Sequence, residues 1–437
     1  MVLLLAGVLL VFQGPPECSD VRDCRQRANA AAAAADYERF HDLAWRAVQK
    51  GKPNDPELMY LLARAQSLSG RPGDALVMLG RLADMGVPTD AATNDDFQRV
   101  RALKGWSELE AKIAAIGKPA VPPGARPEAA APPAAAKTEA PPKSEPRPTK
   151  SAESPRKEAP DSSEETLAFS APRFESAGLA YDAVSRRFIV GDRHESRLVV
   201  VDELSHHVTT LVSAASAGFY DAITAFEIDA RRGDLWVASV KSAGPDSVLH
   251  KLQLVSGRVL EEVHVGAQDA RSRIADIAVA ADGTILALDA AAGRIFRLDP
   301  GSRQMEAPDQ MTIPAGARSF ALANGHILYV ASDEGITRVD LQAKEAAAVK
   351  VPRGLDPARV ERIRWHDGSL VLVTKDASGD CQIGRARLDP AGRAITRFQI
   401  LTAARDADPR AVTLSGSLLY YLVGGKDQST IRRTRLR

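Results

Sequence analysis

Between about Phe174 and Arg437 the chain repeats one pattern six times: a short apolar run, a polar turn, a β-rich run, a longer polar loop and an alternating run. The clearest copies read GLAYDAVSRRFIVGDRHESRLVVVD and DIAVAADGTILALDAAAGRIFRLD. Aligned on their second runs, the units fall at Phe188, Leu235, Ile285, Leu328, Leu370 and Leu419, intervals of roughly 42 to 50 residues. Several short strands per unit at that period are the signature of propeller blades. Six units predict a six-bladed β-propeller over 166–437.

In each unit the first run (GLAYD, AFEID, DIAVA, SFALA, RIRWH, AVTLS) suits an innermost strand beside a central channel. The third run alternates apolar with basic or polar residues, as a half-exposed strand should. An aspartate recurs at its end (Asp202, Asp299, Asp340, Asp389) and reads as a turn residue accepting from its own backbone. The last unit stops after its third strand. TLAFSAP at 166–172 is the segment available to supply the missing outer strand and close the ring.

Upstream, residues 18–116 read as helical. The stripe Phe40, Leu43, Ala44 and Val48 has helical spacing, and Asp55 before Pro56 is a good N-cap. The turn SGRPGDAL joins two further helices. Small alanines at the crossings and a return of about 35 residues to AADYERFHDLA make this region resemble a tetratricopeptide-repeat array. NDDFQRVRALKGWSELEAKIAAI would be its cap, closed by Phe97, Val100, Leu103 and Trp106. The resemblance implies a short solenoid able to bind an extended peptide. Residues 117–165 are rich in Pro, Ala, Glu, Lys and Ser, which cannot bury enough apolar surface to fold, and predict a disordered linker. The two folded parts are therefore expected to be independent and tethered.

The first 17 residues hold an apolar stretch, Val2 to Phe12, ended by Gly14, Pro15 and Pro16. It is too short to span a bilayer and suits a secretory signal peptide, so an exported, periplasmic or extracellular protein is expected. In such a compartment Cys18 and Cys24 could form a disulfide. A formal net charge of +1 with dispersed basic residues argues against a nucleic-acid binder.

The blade pattern resembles NHL-repeat propellers and the senescence-marker/gluconolactonase family. The second resemblance implies a divalent metal, calcium for instance, in the channel. Glu175 in RFESAGL matches the family's opening glutamate, and Asp276 could join it as a second ligand. The asparagines the family also uses are missing at the corresponding places; Asn324 in LANGHI reads as a turn residue. No G-x-S-x-G, HExxH or P-loop motif is present. The loops joining second to third strands, and those joining blades, share one face of a propeller. That face would gather Asp192, Arg193, His194, Tyr220, Asp221, Arg273, Asp276, Arg318, Glu361, Arg362 and Arg410. Its arginines favour an anionic ligand, because the guanidinium fork matches carboxylate and phosphate. The candidate ligand-binding residues are Glu175, Asp192, His194, Asp276, Arg318, Arg362 and Arg410. The expected role is a non-enzymatic binding or assembly protein with a protein or peptide partner and no cofactor. The alternative is a metal-dependent lactonase-type hydrolase using Glu175 and Asp276.

Overall fold

The structure, a computed structural model, describes residues 18–116, 164–170, 174–203, 205–244, 246–265, 272–307, 313–314, 316–376, 378–404, 407–425 and 428–436. The expected signal peptide lies outside the described residues, as does nearly all of the expected linker. Among the described residues no helix is long and apolar enough to cross a membrane.

The second half is a six-bladed β-propeller. Blade 1 pairs β2 (Ser176–Asp182), β3 (Arg187–Asp192), β4 (Arg197–Asp202) and β5 (Val208–Ser213) in that order. Blade 2 repeats this with β6 (Ala222–Asp229) to β9 (Val259–His264), and blade 3 with β10 (Ile274–Val279), β11 (Ile285–Asp289) and β12 (Arg294–Leu298). Blades 4 and 5 run from β13 (Ser319–Leu322) to β16 (Glu345–Ala348), and from β17 (Val360–His366) to β20 (Ile395–Ala404). The six residues used to align the repeats all fall on second strands. Blade 6 is built from β21 (Ala407–Ser415), β22 (Leu418–Val423) and β23 (Gln428–Arg435), and its outer strand is β1 (Glu164–Ser170), antiparallel to β23. The segment ahead of the first blade thus closes the ring from the last, as the blade count requires.

Strand ends carry the expected turn chemistry. Asp202 accepts from Ser205 N, Asp340 from Gln342 N and Ala343 N, and Asp389 from Arg393 N and Ala394 N. Asp299 differs: its carboxylate takes Arg297 Nε at 2.6 Å.

The helical module begins with the disulfide Cys18–Cys24 at the entry to α1 (Val21–Ala33). Helix α2 (Tyr37–Lys50) packs on α1 as a hairpin; α3 (Pro56–Leu68) and α4 (Pro72–Asp84) form the next. Asp55 caps α3, accepting from Glu57 N and Leu58 N. Phe97, Val100 and Trp106 are buried at the end of the stack, around α5 (Gln98–Arg101) and α6 (Trp106–Ala115), with Leu103 half-buried.

The expectation of two independent, tethered parts is corrected by the structure: the helical module sits directly on blades 1 and 2. One apolar cluster runs without a break from the helices (Phe40, Trp45, Leu79) into the propeller (Val184, Leu254, Val255). The residue responsible is Trp45. Five positions after Phe40 it leaves the stripe that packs the helices together, and it faces the propeller instead. Its indole Nε1 donates to Ala230 O at 2.6 Å, and its ring lies over Gly233. Gly233 has φ +69°, and a Cβ there would stand about 3.0 Å from the ring, so both backbone and contact require glycine. Around this centre Arg81 pairs with Asp202 at 2.7 Å, and Ser256 N donates to the buried Asp74 at 3.0 Å. Burial pushes the Asp74 carboxyl up to about 6. All these partners lie on turns between first and second or third and fourth strands, which share one face of the ring.

Truncating Trp45 should cost about 3–5 kcal/mol, as loss of a buried tryptophan does. With a protease site inserted between residues 117 and 163, the cleaved wild-type halves should co-elute on gel filtration, and those of Trp45→Ala should separate. Separation of the wild-type halves would show that the packed interface is too weak to hold them.

Candidate functional site

Each inner strand starts on the face opposite the helical module. There the strands share an irregularity the sequence does not display. β2, β6, β10 and β17 each carry a one-residue bulge near their first residues, leaving Ala177, Thr224, Ala275 and Glu361 without a direct partner on the neighbouring strand. A bulge breaks the two-residue alternation and re-aims side chains. Three of these four residues, Thr224, Ala275 and Glu361, line a single cavity of about 350 Å³. Its wall is completed by Arg193 of blade 1, Arg273 and Ala290 of blade 3, Arg318 of blade 4, Arg362 of blade 5 and Arg410 of blade 6. A cavity that touches all six blades lies on the ring axis. It is the mouth of the central channel.

Five arginines and one glutamate line that mouth, and their partners are unequal. Arg318 is committed to the fold: it pairs with Asp333 and donates to Ser332 O, Ala358 O and Val360 O. Arg362 is only 6% exposed; its Nη2 meets Asp276 at 3.2 Å, while its buried Nε has no acceptor. The buried Nε of Arg193 likewise has none. Among the described residues no carboxylate lies within ion-pair distance of Arg193, Arg273 or Arg410. Glu361 is drawn toward Lys375 at 3.7 Å. Burial, then the nearby Arg410, push the Arg193 pKa down, yet a guanidinium stays protonated at neutral pH. The mouth is a concentration of positive charge with unused donors.

Below it, Asp276 organises the channel wall. It is fully buried on the blade 3 inner strand and accepts from Ser319 Oγ at 2.7 Å and Phe320 N at 3.1 Å on the blade 4 inner strand. It also takes Arg362 and Arg364, each at 3.2 Å, from blade 5. One carboxylate thus ties three neighbouring blades and holds Arg362 in place. Glu227, on the blade 2 inner strand, stands within electrostatic reach of Arg364 and Asp276. It is half-buried, and burial pushes its carboxyl up to about 7.

The sequence-selected residues separate into groups. Arg318, Arg362 and Arg410 line the mouth, joined by Arg193, Arg273 and Glu361 of the same predicted face. Asp192 is a turn residue: its buried carboxylate accepts from His194 N and Glu195 N and pairs with Arg197 at 3.2 Å. Asp182 with Arg187 and Asp289 with Arg294 repeat that arrangement five residues apart. His194 is exposed at the tip of this turn, outside the cavity. Glu175 lines an adjoining rim cavity, and Asp276 has its oxygens occupied by two guanidiniums, a hydroxyl and backbone N–H groups. Among the described residues no three His, Cys, Asp or Glu side chains are grouped to hold a metal. Arg364 and Glu227 were not among the candidates; they sit on RIRWH and AFEID, whose spacing marks them only as strand residues.

No family model matches the sequence, and no curated protein matches it. Among solved structures the chain is similar to a gluconolactonase-like protein (16% identity, 62% of this chain and 92% of that one, TM-score 0.46). It is similar also to virginiamycin B lyase from Staphylococcus aureus (13%, 62% and 99%, TM-score 0.42). A third is the PQQ-bound aldose sugar dehydrogenase from Streptomyces coelicolor (13%, 63% and 100%, TM-score 0.44). The likeness is one of fold.

A carboxyl raised from its ordinary value to about 7 stabilises the folded chain least when ionised, so its cost appears as pH rises from about 4.5 through 7. Glu227→Gln should stabilise the fold at pH 8 by on the order of 1–3 kcal/mol, seen as a raised melting temperature, and leave it nearly unchanged at pH 4. An equal offset at both pH values would refute this assignment.

Proposed function

We propose that this is an exported, non-enzymatic binding and assembly protein whose propeller holds an anionic ligand at the channel mouth. The observation that carries the reading is the convergence of Arg193, Arg273, Arg318, Arg362 and Arg410 on one cavity where, among the described residues, Glu361 is the one acid in the lining. Clustered guanidiniums repel one another, and Arg193, Arg273 and Arg410, which have no carboxylate within ion-pair distance among the described residues, are stabilised when a ligand supplies the acceptors. The apolar leader-like stretch at 1–17 and the Cys18–Cys24 disulfide support export. The helical module, whose contacts to the propeller run from α2, α4 and the α3–α4 turn, occupies the opposite face. It leaves the mouth open and offers its first helices, α1 and α3, to a protein or peptide partner.

Isothermal titration with inorganic pyrophosphate tests the anion site. Binding should occur, weaken as salt is raised, and fall roughly ten-fold or more in Arg273→Gln/Arg410→Gln. Absence of binding, or binding indifferent to both substitutions, would reject the reading.

A further inference from the structure

The mouth does not end at its arginines. A second cavity, about 450 Å³, opens beside it toward blades 6 and 1 and shares Glu361 and Arg410 with it. Its character is different. Its wall carries Glu175 and Asp408, which stand within electrostatic reach of each other, and Lys375, which lies 3.7 Å from Glu361, while Phe174, Pro409 and Leu422 supply apolar surface. The two cavities are also joined through the backbone, because Arg193 N donates to Glu175 O at 2.7 Å. Asp408 accepts from Arg410 N at 2.8 Å; burial raises its pKa, with the Arg410 and Arg193 charges opposing the rise and Glu175 adding to it. A cation placed between these carboxylates would relieve their repulsion.

Resting on the anion-binding reading, we propose that the ligand is zwitterionic and peptide-like. Its carboxylate lies among Arg193, Arg273, Arg362 and Arg410, its ammonium group lies between Glu175 and Asp408, and its apolar portion rests on Phe174 and Leu422. The five guanidiniums that line the mouth fix which end is anionic. A purely anionic ligand would gain nothing from the acidic extension, since its second charge would meet Glu175 and Asp408.

The test uses the full chain and a dipeptide with free termini, alanyl-leucine, against the same dipeptide N-acetylated. The free dipeptide should bind roughly ten-fold more tightly. Glu175→Gln/Asp408→Asn should abolish that preference by weakening the free dipeptide, with the acetylated dipeptide binding at least as tightly as before, and Arg273→Gln should weaken both. Thermal melts of each variant confirm folding. Equal binding of the two dipeptides, or binding of neither while pyrophosphate still binds, would overturn the zwitterion assignment and leave the anion site standing. Failure of pyrophosphate as well would remove the anion reading and this inference with it.

Discussion

The pairing of β1 with β23 is the constraint on which the rest of the molecule depends. Six sheets arranged about an axis keep their edges covered only if the last is locked to the first. Here the lock is a strand from ahead of blade 1 hydrogen-bonded to the outermost C-terminal strand. Once the ring is closed, the starts of all six inner strands must meet at one end of the channel. Residues as distant in sequence as Arg193 and Arg410 then become neighbours. The arginine mouth is a consequence of closure as much as of composition.

Concentrating guanidiniums has a cost, and the structure offsets only part of it. Asp276 neutralises Arg362 and Arg364 while stitching blades 3, 4 and 5, and Asp333 with three carbonyls holds Arg318. Arg193, Arg273 and Arg410 are given no such partner among the described residues. A site whose supporting charges are paired and whose remaining charges are not is pre-organised for an anion, because the ligand does not have to reorder the arginines that the fold already fixes. The helical module covers turns of the opposite face and leaves the mouth open.

Blade number, the strand that closes the ring, and the face where loop arginines gather were all legible in the sequence. Each follows from periodicity or from which end of a strand a loop leaves. The bulges were not. With strict alternation Glu361 and Arg362 would point to opposite sides, yet the bulge at Val360/Arg362 lets both reach the mouth. Asp192 was selected for its position, and its role came from local geometry instead: an aspartate accepting from the turn that follows and pairing with an arginine five residues on. Trp45 was hidden for a related reason. A helical stripe reports the face packed against other helices, and a single tryptophan off that stripe gives no sign of a docking partner on the other side of 117–165. Pairwise tertiary contacts of that kind leave no period to detect.

The central claim is that an oxyanion is held on the ring axis by arginines from several blades. Anomalous diffraction from crystals soaked in tungstate tests it most directly. The account predicts a strong peak in the axial cavity, within hydrogen-bond reach of Arg193, Arg273, Arg362 and Arg410. Tungstate scattered over the outer surface with none on the axis would contradict it.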